Sequence, residues 1–451
     1  MSEPFSVGSS AVDITPPLTI PYLGYVPRHA YFEGVHDPLY AKALVADDGE
    51  DRVAIVIADS IGFARGIMGP ERDFIEEVRD RVLRRCGISP DHTMVAATHA
   101  HSTPETVGIR RLLDHPGAAE WLEVLADQMA SAVAMADRNR RPTRVKQAVG
   151  SAEGIGWSRR ILATNGGIHS WISRPADDEI ADWGAVDHEV TVVCFEPLDG
   201  GPSTVCVHFA CHPVTVQVQP LVSADFPGSA TAFVECSGVG CGHCLYLQGA
   251  SGSINPVRST TNFEDVSLYG QILGAEVIKQ LGILSASDYP VGSNKIRAAS
   301  RTVVVPSREL PVVAEIEAEY RRGEEAVRCA ATGEERMRLA RDLLQTAERL
   351  ERVRRGSAPI RAEVQAIRIG DTILAGIPGE PFAELGLALK RGSPRSLCVG
   401  YANDWLGYIA PLDAFEQGGY EVRLGTWAIV GPDAFERITE TARTVVGEVG
   451  E

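Results

Sequence analysis

Hydrophobic positions along this chain follow two periods, and their order predicts the fold. Arg52 to Asp59 (RVAIVIAD) is an almost unbroken apolar run, as expected of a strand covered on both sheet faces. The segment Glu71 to Cys86 instead places Phe74, Ile75, Val78, Val82 and Cys86 on one helical stripe, with Gly87 as its stop. Asp91 to Thr98 is again a short apolar run. Strand, helix, strand is an α/β signature. Before it, Ala11–Pro17 reads as a short strand stopped by two prolines, and a polar turn after Gly34 feeds an apolar run to Val45. After it come a helix between Gly117 and Asp137 and strands at Arg144–Ser151, His188–Phe195, Thr204–Phe209 and Leu245–Gln248. A helix near Val266–Leu281 and a strand near Ile296–Val305 complete the first part. Val312–Arg354, rich in Glu, Arg and Ala and broken at Thr332-Gly333, reads as an αα-hairpin. Its charges suit a solvated face, a dimer contact or a lid. Ile360–Ile377 reads as two strands joined at Gly370-Asp371, and a last helix runs from Asp433 to Val446.

The candidate chemistry sits where apolar runs stop. Val95–Pro104 carries His99 and His101 at the end of a predicted strand, the place where α/β enzymes keep their sites. In an extended backbone, residues two apart share a face, so both imidazoles can address one metal ion or one substrate. Core histidines satisfied by hydrogen bonds are the alternative reading. Thr204–Phe209 repeats the pattern, leading into Ala210-Cys211-His212-Pro213 and making His212 the natural third imidazole. Glu380, followed by Pro381, is a carboxylate held at a strand end or an N-cap with proline in the first helical position. Gly249–Pro256, with Ser251, Gly252, Ser253 and Asn255, is a loop able to bring N–H groups near an oxyanion, or a plain turn. Arg159 and Arg160, in a Gly-rich loop, either clamp an anionic or carbonyl group or lie solvated. His36-Asp37 reads as a turn pair or an orienting pair, and Asp59 as a helix cap or a supporting carboxylate.

Composition narrows the function classes. The 43 basic and 60 acidic residues give a net charge of −17, which disfavours nucleic acid and stable membrane association. No apolar run approaches the ~18 residues of a transmembrane helix. Met1–Pro4 shows neither a basic nor an apolar leader region, so no secretion signal is expected. Nine scattered cysteines suit free thiols in a reducing cytoplasm. Cys236, Cys241, His243 and Cys244 lie close in sequence, but their spacing favours a Gly-rich loop over a structural zinc site.

The motifs THAHS, FACHP, SADFPG, QGASGSINP, IPGEPF and ANDWLGY with GGYE stand in the order found in the catalytic domain of neutral (non-lysosomal) ceramidases and their bacterial relatives. The chain resembles that family from about Val7 to Glu421. The resemblance implies an α/β fold with a large mixed sheet and flanking helices, a single catalytic domain over 1–451, and a helical hairpin inserted at 312–355. It further implies one zinc ion held by His99, His212, Glu380 and Tyr408. His101 would contact the reacting carbonyl or water, and Arg159 and Tyr420 would hold the tetrahedral intermediate. Three departures stand out: Asn255 occupies the position of the family's loop serine, the chain stops before an immunoglobulin-like C-terminal domain, and no signal peptide is visible. An amide cannot act as a nucleophile. The expectation is thus a cytoplasmic zinc amidohydrolase acting on a small-molecule N-acyl or cyclic amide more polar than ceramide, with no nucleic-acid partner and no stable membrane association, and able to form a homo-oligomer. A zinc esterase or lactonase, a true ceramidase, and a non-catalytic scaffold are the alternatives.

Overall fold

Two sheets packed face to face, each covered on its outer side by helices, organise the chain. The computed structural model describes residues 5–22, 31–170, 175–257, 262–286 and 290–450, so Met1–Pro4 lies outside the described residues. The larger sheet holds β1 (Ser6–Asp13), β2 (Tyr40–Asp47), β3 (Arg52–Ala58), β4 (Thr93–Ala97), β5 (Arg141–Ser151), β6 (Glu189–Pro197), β7 (Ser203–Phe209) and β8 (Cys241–Gln248). Their spatial order is β8-β7-β6-β5-β1-β2-β3-β4. Most neighbours are antiparallel, but the outer pairs β3/β4 and β7/β8 are parallel. The smaller sheet runs β9 (Ile296–Val305), β10 (Ile360–Ile369), β11 (Thr372–Gly376) and β12 (Ser396–Val399), with β11/β12 parallel.

The unbroken apolar run of β3 is explained by its two buried faces. Val53, Ile55 and Ile57 point into the layer between the sheets, where they meet Ile367, Ile369, Leu374 and Val399. Ala54, Val56 and Ala58 face α1 (Phe74–Cys86) and α2 (Ala118–Arg138). The helix α1 starts with its apolar stripe at Phe74, three residues after the expected Glu71, because Asp73 caps it by accepting from the backbone N of Ile75 and Glu76. Gly87 ends it in the left-handed region at φ 70°. The other half of the large sheet is covered by α3 (Asp225–Cys236) and α4 (Phe263–Leu284).

The predicted hairpin is present as α5 (Val313–Cys329) and α6 (Gly333–Arg354), joining the antiparallel neighbours β9 and β10. Its own buried cluster is small, Ile316, Leu350 and Val353, so it rides on the scaffold rather than building it. The smaller sheet is closed by α7 (Ala383–Gly392) and α8 (Ala434–Gly450). Trp157–Arg160 is not a loop: Gly156–Ser158 pairs with Ile254–Pro256, and Arg160–Ala163 continues as a second short strand. No helix among the described residues is long and apolar enough to cross a membrane.

Candidate metal centre

Each of the three parallel strand pairs within the two main sheets ends beside the same point. The loops after β3 and β4 bring the Ile61 carbonyl and His99; those after β7 and β8 bring His212 and Ser251; those after β11 and β12 bring Glu380 and Tyr401. Parallel pairs place their carboxyl ends side by side, which is why ligands collect there in open α/β sheets. The 400–403 turn ties the two sheets together: the backbone N of Gly400 donates to Gln248 O, and Asn403 exchanges bonds with the backbone of Val95.

His99, His101 and His212 converge, with one ring nitrogen of each within 4.8 Å of the others. The route differs from the extended alternation expected of His-x-His. The strand ends at Ala97, and His99 adopts φ 66°, a left-handed conformation unusual for a non-glycine residue. The turn, not strand alternation, aims the rings at one another. His99 Nδ1 donates to Ile61 O at 2.5 Å and His212 Nδ1 to Ser251 O at 3.1 Å. A carbonyl only accepts, so both Nδ1 atoms carry the proton and both Nε2 atoms present lone pairs. Those lone pairs face each other at 2.8 Å, and His101 Nε2 stands 3.2 Å from that of His99.

Glu380 completes the donor set. Its Oε2 lies 3.5 Å from His99 Nε2 and 3.6 Å from His212 Nε2, is buried, and has no hydrogen-bond partner among the described residues. Its Oε1 accepts from Trp405 Nε1 at 3.0 Å. The capping alternative is overturned: Glu380–Pro381 is a short strand paired with Tyr408–Ile409, and α7 starts at Ala383 with Phe382 as its N-cap. An orphaned carboxylate oxygen beside two converging lone pairs is costly unless a cation sits among them. Nitrogens bound to one zinc at 2.0–2.1 Å in a tetrahedral site lie about 3.3 Å apart, close to the spacing present here. The cluster therefore has the donors and the geometry to bind a metal ion. Burial first, then His99, Arg159 and His101, drive the His212 pKa well below its ordinary value, so the ring is in its neutral, ligating form.

Around this centre, Tyr401 stacks on His99 with ring centroids 3.9 Å apart, and its hydroxyl bonds Ser251 Oγ at 2.9 Å. Tyr408 is the ladder neighbour of Glu380, and its ring packs against Phe382, Tyr420 and the Arg159 guanidinium. Tyr420 stacks on Trp427 at 4.6 Å. Arg159 and Arg160 are buried, which removes the solvated reading. Arg159 Nε pairs with Glu421 Oε1 at 2.9 Å and its Nη1 donates to Asn255 Oδ1 at 3.2 Å. Burial opposes the Arg159 charge, but Tyr408, Glu421 and Glu380 hold its pKa above the ordinary value.

The 249–256 loop, expected as an oxyanion cradle or a plain turn, has several of its polar groups tied to its neighbours. Gly252 N–H donates to Pro381 O, Ser253 Oγ accepts from Ala383 N, Ser251 Oγ accepts from Gln248, and Arg159 N–H donates to Ser253 O. These groups are spent on fastening His212, Glu380 and Arg159 to one another. Two other candidates belong elsewhere. Asp37 bonds His36, Ser223 Oγ and the Ala224 backbone N, securing a turn, while Asp59 accepts from Tyr40 N and caps nothing. Cys236, Cys241, His243 and Cys244 form no metal-binding group among the described residues; His243 instead bonds Ser9 Oγ. Sequence reasoning missed Tyr401, Trp405, Glu421 and the Ile61 carbonyl. For Trp405 a signal existed, since a buried indole N–H needs an acceptor; a backbone carbonyl leaves none.

A two-sheet α/β scaffold that gathers three imidazoles and a carboxylate at its parallel strand ends has the make-up of a metalloprotein. The family model described as neutral/alkaline non-lysosomal ceramidase, N-terminal, matches residues 5–261, more than half of the chain, and the chain belongs to that family. The neutral ceramidase of Drosophila melanogaster is 25% identical over 243 residues, 52% of this chain and 32% of that protein. That of Oryza sativa subsp. japonica is 24% identical over 244 residues, 52% of this chain and 29% of its own length. These matches span about a third of the length of the curated relatives. The crystal structure of neutral ceramidase from Pseudomonas aeruginosa aligns with a TM-score of 0.71 over 98% of this chain and 74% of that one, at 16% identity, which establishes the common fold.

Proposed function

We propose that this chain is a zinc-dependent hydrolase that cleaves an N-acyl or cyclic amide. The reading rests on one observation above the others: the Nδ1 atoms of His99 and His212 are committed to carbonyls, so their Nε2 lone pairs and the orphaned Glu380 Oε2 share one buried space. His99, His212 and Glu380 hold the zinc, with Tyr408 as a fourth ligand. A zinc ion there lowers the pKa of a coordinated water toward ~7 and polarises a carbonyl.

The chain's own residues supply the rest. His101, whose Nε2 stands 3.2 Å from that of His99, is the imidazole that passes a proton to the leaving nitrogen. Arg159 and Tyr420 stabilise charge developing on the carbonyl oxygen, each such donor being worth roughly 3 kcal/mol. Asn255, which holds Arg159, stands where the family's loop has serine, so its part is to orient rather than to attack. We further read 1–451 as one catalytic domain with the 312–355 hairpin inserted, cytoplasmic, acting on a small-molecule substrate, and capable of forming a homo-oligomer.

Release of free amine from a panel of N-acyl amides, cyclic amides, lactones and ceramide by zinc-loaded protein tests this. Turnover of polar amides above ceramide and lactones is expected; no amide turnover by protein that carries full metal overturns it.

A further inference from the structure

Neighbouring residues on a strand point to opposite faces. Arg159 and Arg160 nevertheless meet one carboxylate, because Arg159 lies at the break between two short strands. Glu421 Oε1 is 2.9 Å from Arg159 Nε, and Glu421 Oε2 accepts from Arg160 Nη1 at 2.6 Å. The three side chains are 5%, 6% and 2% exposed in the order Arg159, Arg160, Glu421. Arg160 is in turn tied down: its Nη2 donates to Gly418 O at 2.8 Å and to Ala414 O at 3.3 Å, and its guanidinium lies 5.5 Å above the Phe382 ring. Gly419 adopts φ 105°, a conformation side chains disfavour, and a Cβ there would lie 2.5 Å from Arg160 Nη1. The Arg159 side chain, by contrast, is held on the side of the centre, by an ion pair with Glu421, a hydrogen bond to Asn255 Oδ1 and the Tyr408 ring, while its Nε and Nη2 have no hydrogen-bond partner among the described residues.

A buried trio of two cations and one anion is a poor device for stability. Desolvating ions costs as much as their attraction returns, and apolar replacements of similar volume are often neutral or better. What a shared carboxylate does supply is direction, because it fixes one guanidinium by reference to another that is already anchored.

We propose that Glu421 is a positioning residue, dividing its two oxygens between the anchored Arg160 and Arg159 so that the Arg159 guanidinium is held in one orientation beside Tyr408. The inference rests on the amide-hydrolase reading above. Arg159 is the group that meets substrate; Glu421 acts through it.

The test compares wild type with Glu421→Gln and Glu421→Asp, all zinc-loaded. Glu421→Gln is expected to bind the same amount of zinc and lower kcat about 100-fold with KM little changed, the cost of misplacing a group by about 1 Å. Glu421→Asp keeps the charge and recovers part of the loss. A Gln variant with wild-type kcat overturns the proposal, as does a loss that follows thermal stability and is not relieved by Asp. Rotation about the Arg159 Nε–Cζ bond, read by NMR and assigned with Arg159→Lys, gives a readout free of turnover. It is expected to be slow in wild type and fast in Glu421→Gln; equal rates overturn the proposal. Absence of amide turnover in the wild type counts against the functional reading alone, and the rotation rates then decide the role of Glu421.

Discussion

Trp405→Phe isolates the grip on the metal-facing carboxylate. Trp405 Nε1 donates to Glu380 Oε1 at 3.0 Å, while Oε2 faces His99 and His212 without a hydrogen-bond partner among the described residues. Phenylalanine keeps most of the buried ring but removes the donor, so Glu380 is free to rotate its carboxylate away from the imidazoles. A hydrogen bond to a charged acceptor is worth about 1.5–3 kcal/mol. Loss of a group that orients a metal ligand typically weakens affinity about 10–100-fold, or about 1.4–2.7 kcal/mol, which agrees. Competition with a chromophoric chelator at fixed pH measures the zinc Kd directly, and thermal unfolding of the metal-free proteins checks that the fold is intact. A rise in Kd of about 10–100-fold is expected. A folded variant whose Kd stays within about two-fold, about 0.4 kcal/mol, refutes the claim that Trp405 orients Glu380.

Two further perturbations follow from close contacts and buried charge. At Gly252 a Cβ would meet Glu380 O at 2.5 Å and Pro381 O at 2.9 Å, so Gly252→Ala is expected to displace that strand, costing about 1–3 kcal/mol in denaturant unfolding and weakening zinc binding; unchanged values for both contradict it. Burial raises the Asp59 pKa from 3.8 to about 6, against the bond from Tyr40 N–H. Because the folded-state pKa is the higher one, ionisation costs stability fully above about 6 and not at all below 3.8. Asp59→Asn is therefore expected to gain up to about 3 kcal/mol at pH 8 and nothing near pH 3, and a gain independent of pH sinks the argument.

The strands were legible where both faces are apolar, as at Arg52–Ala58, because burial on each side leaves no polar positions to confuse the period. The hairpin Val313–Arg354 was legible for the opposite reason, a long helical repeat broken at Thr332-Gly333. Glu380 was ambiguous: a carboxylate followed by proline reads equally as a cap, and only its pairing with Tyr408 decides. The left-handed turn at His99 carries no sequence mark, since the residue is not glycine. Arg159 and Arg160 were undecided because a charged pair reveals nothing of Glu421, 261 positions beyond Arg160, until the chain is folded.

The central claim is that His99, His212 and Glu380 together hold one metal ion. Elemental analysis of the purified protein, beside His99→Ala, His212→Ala and Glu380→Gln, tests it most directly. The account predicts one zinc per wild-type chain and its loss from each folded variant. A wild-type chain that takes up no divalent metal when offered zinc, or variants that retain it in full, contradicts the account.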